Sequence, residues 1–355
     1  MSRRRTVTES EVIDQLRLPL IVLVTYAHSY SGEVAGHWLR LLAGQTLSKL
    51  AVPVFFLMSG YLFFRHLETW DWGVYRQKLR RRLMTLLLPY VAWNLLMAVK
   101  LGTFDWRMFW VYWPTCGMQT DWLGQANWMT APANLPLWFL RDLMVMTLVA
   151  PIIYKVFSQR RCRRPLIVAI VLVYLSGIGA FAVPGLSMYA VCFFSLGAYI
   201  RLSGSGLLAV ALRLRWLSLT VSVVLAVAML LTYGTPPFSS LMLAFRLTGA
   251  LAVFALAHSL LTHTGRRLPK VVCDASYFVY LAHFVFFMFP IDRAFLWLDG
   301  GRLTTTHYLL APLLKATLLV LIYVTFRYIK ERNRPILLTV YEKMRTFVGR
   351  KPLKP

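Results

Sequence analysis

Hydrophobic positions in this chain come in long blocks, broken by short clusters of arginine, lysine, glycine and proline. The block from Leu217 to Leu231 runs on without the period-two alternation of a half-buried strand. A helix needs about 20 apolar residues to cross a hydrocarbon core about 30 Å thick. Inside lipid the backbone must pair with itself, which leaves helices and closed barrels as spanning forms, and continuous blocks choose helices. The pattern predicts ten spans, over residues 13–31, 46–64, 83–101, 136–157, 165–183, 185–201, 214–233, 238–262, 272–291 and 306–329. The expected fold is all-α, a polytopic bundle of transmembrane helices. The longest connection, 102–135, holds Trp106, Trp110, Trp113, Trp122 and Trp128, which suits an interfacial segment on the extracytoplasmic side.

Composition agrees. Of 355 residues, 58% are hydrophobic and 15% charged, too little polar surface for a soluble protein of this length. A net charge of +25 suggests nucleic-acid binding, but the placement of the charges argues otherwise. Basic residues gather in alternate connections: Arg3 to Arg5, Arg65 to Arg82, Lys155 to Arg164, Arg201 to Arg215, Arg266 to Lys270 and Arg327 to Lys354. The intervening connections are nearly free of them. This positive-inside pattern assigns both termini to the cytoplasm, and an even number of spans agrees. The basic excess then reflects topology and attraction to anionic membrane lipids, and nucleic acid is not an expected partner.

The arginines of "MSRRR" are separated from Leu18 by polar-rich residues, and no small-x-small pattern follows the first apolar block, so a retained helix is expected rather than a signal peptide. Cys116, Cys162, Cys192 and Cys273 show neither CxxC nor metal-ligand spacing, so no disulfide framework is implied. Glycine-rich phosphate loops, metal-ligand clusters and a G-x-S-x-G elbow are missing, which sets aside nucleotide hydrolysis and zinc chemistry. No metal or bound cofactor is expected. One membrane domain is expected over 1–335, followed by a basic cytoplasmic tail, 336–355.

Candidate chemistry begins in the first span. Eleven residues separate Arg17 from His28, a rise of roughly 16 Å and three turns plus about 20°, so both lie on one stripe of the helix. A cation at the cytoplasmic mouth and a titratable ring well inside suit a ligand whose anionic part stays in the cytoplasm while its reactive end enters the membrane. The plain alternative makes Arg17 part of the topology signal and His28 a hydrogen-bonded packing residue. Ionisable side chains inside spans are functional candidates by default.

Segment "IDQLRLPLIVLVTYAHS" (13–29) resembles the first helix of acyltransferase family 3, integral-membrane O-acyltransferases marked by Arg or Lys, ten residues, then His. Four further segments match in order. "VPVFFLMSGYLF" (52–63) carries FF-x-x-SGY at Phe55, Phe56, Ser59, Gly60 and Tyr61; "KLRRRLMTLLLPYVAWN" (78–94) resembles the family's basic approach to the third helix. "PLWFLRDLMVM" (136–146) resembles its WFL segment, and "SYFVYLAHF" (276–284) its S-x-x-x-Y-x-x-H. One departure is visible: where the family often has R-x-x-R, Arg82 is followed three residues later by Thr85, leaving Lys78/Arg81 and the run Arg80, Arg81, Arg82 as the nearest equivalents.

The resemblance implies transfer of an acyl group, most often acetyl, from cytoplasmic acyl-CoA (acetyl-CoA as donor substrate) to a hydroxyl of a glycan or lipid-linked sugar, by a multi-pass protein of the bacterial inner membrane. His28 suits such a reaction as general base or as a covalent acyl carrier, and the sequence does not choose. A transporter or flippase of a lipid-linked sugar is the alternative, although paired halves with Gly/Pro-broken helices are not seen. A membrane sensor is a third, without a separate signalling domain.

Other residues carry two readings each. Asp142, the only carboxylate well inside a predicted span, can orient His28 as the Asp of a triad does, or pair with Arg141 or Arg246. Arg17 together with Arg80, Arg81 and Arg82 can bind the phosphates of CoA, or mark topology alone. Ser276, Tyr280 and His283 share one helical face and, with Arg246 and Trp138, either line the acceptor path or tie helices together. Lys315 is a second buried cation, neutralised by Asp142 or substrate, or snorkelling. The tryptophans of 106–138 can stack on sugar rings or anchor at the interface.

Overall fold

A computed structural model describes residues 6–29, 38–65, 67, 69–102, 104–111, 118–120, 126–128, 131–178, 183–286, 288–298, 300–302 and 304–333. The tail 336–355 and much of the tryptophan-rich connection, Trp113 and Trp122 included, lie outside the described residues.

Helix α1 (Glu9–Ala27) starts at a capping box: the Glu11 amide donates to Thr8 Oγ1 at 3.3 Å, and the Thr8 amide donates to Glu11 Oε2 at 3.2 Å. It ends at His28. Helix α2 (Trp38–Phe63) begins well before its predicted start at 46. Gly44, Gln45, Thr46, Ser48 and Lys49 interrupt the apolar pattern there, and the backbone takes a wide π turn (Leu41–Thr46) and a 3-10 turn (Leu47–Leu50) before regular helix begins at Ala51. Helix α3 (Trp72–Leu101) joins the basic stretch to the predicted span in one rod. Asp71 caps its start by accepting from the Val74 amide at 2.8 Å, and Gly102, at φ +66°, takes the left-handed turn that ends it.

Strands β1 (Met118–Thr120) and β2 (Ala126–Trp128) pair antiparallel, Met118 opposite Trp128. This ribbon inside the long connection is the departure from helix among the described residues; otherwise the all-α expectation holds. The remaining helices are α4 (Leu135–Leu148), α5 (Ala150–Phe157), α6 (Arg160–Leu175), α7 (Met188–Leu202), α8 (Leu207–Arg213), α9 (Arg215–Leu231), α10 (Pro237–Thr264), α11 (Lys270–Phe286), α12 (Met288–Leu298) and α13 (Thr305–Arg332). Among the described residues, 4 helices (α2, α3, α10, α13) are each long and apolar enough to cross a membrane. Up to 7 spans result if the bent pairs α4/α5 (56°), α7/α8 (98°) and α11/α12 (68°) each count as one. Helices α1, α6 and α9 also occupy predicted spans; α1 carries four charged residues, and the other two are shorter. A count of ten and cytoplasmic termini remain expectations.

The core is drawn tight where α2 meets α7. A Cβ on Gly60 would collide with the Phe194 carbonyl, and one on Gly197 with the Leu57 carbonyl, besides lying 2.6 Å from the Tyr61 amide nitrogen. Only glycine lets two backbones approach this closely. Around that contact Phe56, Leu57, Phe193 and Phe194 are buried. Helix α11 runs beside α1 in the same direction. Arg267 pairs with Glu11 at 2.6 Å, and Gln15 accepts from the Leu268 amide at 2.7 Å and donates to its carbonyl at 3.0 Å. The Leu208 amide donates to Glu9 at 3.0 Å and Arg65 to Ser10 at 3.1 Å. The starts of α1, α8 and α11 and the 64–71 connection therefore meet at one end, the basic end of the molecule.

Candidate active site

A cavity of about 360 Å³ lies between α1, α2, α3, α4 and α11, nearer the basic end. Arg17, Arg82 and Asp274 line it there. Arg17 pairs with Asp14 at 3.1 Å, and Asp274 is held by Lys270 at 3.0 Å and Arg327 at 2.8 Å. Phe55, Leu86, Phe139, Leu140 and Leu143 form apolar walls, and Ser59, Ser276, Tyr277 and Tyr280 add hydroxyls. Two of those hydroxyls are engaged: Tyr277 donates to the Thr85 carbonyl and Tyr280 to the Pro136 carbonyl, each at 2.6 Å. The structure also separates the three arginines of α3. Arg82 is half-buried in the cavity wall, whereas Arg80 and Arg81 are exposed, as steps of about 100° along one helix require. Lys78 is tied to the Phe63 and Arg65 carbonyls.

Past the cavity lie two imidazoles. Ile21 and Ser276 line it, and His28 and His283 stand seven residues further along the same two helices, roughly 10 Å deeper. Because α1 and α11 run parallel, the two rings meet, with centroids 5.5 Å apart. His28 also meets Phe284 edge-on at 5.7 Å, and the charge of Lys49 on α2 reaches it. His283 is buried; its Nδ1 lies 2.7 Å from the Tyr280 carbonyl oxygen, and its Nε2 has no hydrogen-bond partner among the described residues.

The other predicted residues divide. Asp142 is fully buried, accepting from Arg141 at 3.0 and 2.9 Å and from the Ser187 amide at 3.2 Å, so its hydrogen bonds fasten α4 to the start of α7 instead of reaching His28. Arg141 also donates to the Trp110 carbonyl at 2.7 Å. Arg246 is buried over the Tyr189 ring at 4.6 Å, donates to its hydroxyl and is not paired with Asp142. Its Nε has no partner among the described residues. Trp138 packs in the core against Phe56, ring centroids 6.3 Å apart.

The partner expected for Lys315 needs correcting. It is neutralised by Asp292, at 2.8 and 2.9 Å, with His307 at 3.4 Å from the same carboxylate. Asp292 lies one residue past the predicted span 272–291, yet α12 keeps it buried, so Asp142 is not the only carboxylate in the interior. Lys49 was legible as an ionisable residue inside the span 46–64. Tyr277, a cavity residue beside Ser276, had no separate signal. Among the described residues no three of His, Cys, Asp and Glu are grouped to hold a metal ion.

The family model of acyltransferase 3, described as an acyltransferase domain, matches residues 11–332. The chain belongs to that family, and it is a membrane O-acyltransferase. The succinoglycan biosynthesis protein ExoH of Rhizobium meliloti (strain 1021) is 29% identical over 334 residues, covering 90% of this chain and 85% of that protein. No solved structure matches the chain.

Proposed function

We propose that this acyltransferase moves an acetyl group from cytoplasmic acetyl-CoA to a hydroxyl of a glycan or lipid-linked sugar, with His28 as the base. The observation that carries the reading is the cavity itself: guanidinium groups of Arg17 and Arg82 at one end, and the stripe of α1 leading from there to His28. Planar guanidinium forks match phosphate oxygens, so these two arginines would hold the phosphates of CoA. Roughly 16 Å separate Arg17 from His28 along the helix, a reach that suits the long, thin thioester arm.

At the inner end, neutral His28 takes the proton of the acceptor hydroxyl as its oxygen attacks the thioester carbonyl. The carbon–sulfur bond breaks, and the leaving thiolate recovers that proton from the imidazolium. The enzyme ends as it began. The positive-inside rule supports a cytoplasmic basic end, and so a cytoplasmic donor, and on this reading the protein sits in a bacterial inner membrane. The relative named for succinoglycan biosynthesis supports a glycan acceptor.

The test is mass spectrometry of cell-surface glycans with and without the gene, paired with acetyl-CoA binding to purified protein in lipid nanodiscs. Loss of an acetyl ester in the deletion strain, restored by the wild-type gene, is expected. Unchanged glycan acylation together with no CoA-thioester binding would overturn the reading.

A further inference from the structure

On that reading of acyl transfer, we infer that His283 is the positioning partner of His28, taking the role that an aspartate has in a catalytic triad. His283 Nδ1 lies 2.7 Å from the Tyr280 carbonyl oxygen, and a carbonyl only accepts, so Nδ1 carries the proton. In the neutral ring Nε2 is then a lone pair. That lone pair is buried and has no partner among the described residues. Buried polar atoms in native proteins are almost always paired, and one that is not calls for an explanation.

The neighbours narrow what Nε2 serves. The Tyr280 hydroxyl is used by the Pro136 carbonyl, and the Lys315 ammonium is used by Asp292 on two oxygens. The ring that faces His283 from α1 is His28, its centroid 5.5 Å away. Asp142 spends its acceptor oxygens on Arg141 and Ser187. The charged groups that face the two rings from neighbouring helices are Lys49 on α2 and Lys315 on α13, both cations, and Asp292 is committed to the second of them. A neutral acceptor next to His28 does what a carboxylate does elsewhere. Nε2 accepts no bond among the described residues; with the acceptor hydroxyl in place it would take one N–H of His28 and so turn the other nitrogen, lone pair outward, toward that hydroxyl. When that hydroxyl gives its proton to His28, the imidazolium keeps donating its first N–H to His283 Nε2. The new proton goes on to the departing thiolate, and His283 neither gains nor loses one.

Steady-state kinetics of nanodisc-embedded wild type, His283→Phe, His283→Gln and His28→Ala, per folded molecule, test this. Phenylalanine keeps the bulk and removes the acceptor; its kcat is expected to fall on the order of 10²-fold, the loss that misplacing a reacting group produces. The KM for acetyl-CoA should stay put, since the arginines that hold the donor are untouched. Glutamine puts an amide oxygen where Nε2 was and should restore most of kcat. It also carries the test if the phenylalanine variant fails to fold. Wild-type kcat in His283→Phe would overturn the inference, as would a glutamine variant as inactive as His28→Ala, which would make His283 the base itself. A loss of folded protein with kcat per folded molecule intact would reduce His283 to packing and would also overturn it. Full activity in His28→Ala is a separate outcome: it would remove the acyl-transfer mechanism proposed above and leave His283 with nothing to position.

Discussion

Arg80, Arg81 and Arg82 are the same residue three times, and one helical step decides which of them faces the cavity. Arg82 lines it while the other two point to solvent. Arg82→Ala should therefore weaken acetyl-CoA binding by about 10- to 100-fold, the equivalent of about 1.5–3 kcal/mol for a hydrogen bond to a charged group. Arg80→Ala and Arg81→Ala should leave it nearly unchanged. Isothermal titration with the three single variants checks this, and equal losses in all three would favour a diffuse basic surface. His28→Ala should lower kcat by about 10²–10⁴-fold, the usual contribution of a general base, while donor binding persists; activity and binding assays on the same preparation separate the two. Arg17 and His28 were legible in the sequence because helical periodicity alone puts them on one stripe. The pairing of His28 with His283 was not, because it depends on α1 and α11 lying side by side and parallel. Nothing in the local sequence of either helix reports that. Of the two sequence readings of Asp142, the structure shows the pairing with Arg141, which the sequence alone could not choose over orienting His28 because both depend on which neighbour reaches the carboxylate.

At the scale of elements, apolar blocks placed the helices well where they were unbroken, as in α10 and α13, and poorly where polar residues sit in a distorted turn. The eight residues before position 46 belong to α2 although Gly44, Gln45 and Thr46 interrupt its pattern, because a π turn followed by a 3-10 turn keeps the backbone hydrogen-bonded through that stretch. The short α8 is an apolar run of six residues, too short to read as a span, inside what the sequence marks as a basic connection, and the ribbon β1/β2 lies in the tryptophan-rich connection. The contact of α2 with α7 is the element-level feature most open to test. Ala is harmless in most helices, but at Gly60 or Gly197 its methyl would meet a backbone carbonyl that cannot turn aside. Each single Gly→Ala substitution should destabilise the protein by about 1–3 kcal/mol, the range for overpacking a filled interior. Thermal unfolding of the detergent-solubilised variants would show it, and unaltered melting of both would mean that the two helices have room to separate.

Over the whole molecule, alternating basic connections predict that one end faces the cytoplasm, and the hydrogen bonds that gather the starts of α1, α8 and α11 make that end a single surface. Cys162, exposed at the start of α6, is a native reporter of it. With the other cysteines replaced, Cys162 should react with a membrane-impermeant maleimide in inside-out vesicles and not in intact spheroplasts; the reverse labelling would invert the topology and put the cavity's basic end on the wrong side for the donor proposed above. The pair of Asp292 and Lys315 spans the last two elements, and removing one partner should be worse than removing both: Lys315→Met is expected to destabilise by about 3–5 kcal/mol, and Asp292→Asn added to it should recover part of the loss, since a buried lone charge is what harms. Expression and melting of the single and double variants decide it. That same pair sets an order in time. A ribosome delivers the carboxylate 23 residues before the ammonium that neutralises it, so a nascent chain ending short of α13 has the acid without its counter-charge. Asp292→Asn should therefore let a product truncated after Thr304 persist longer than the same truncation with the acid in place, which pulse-chase labelling would measure.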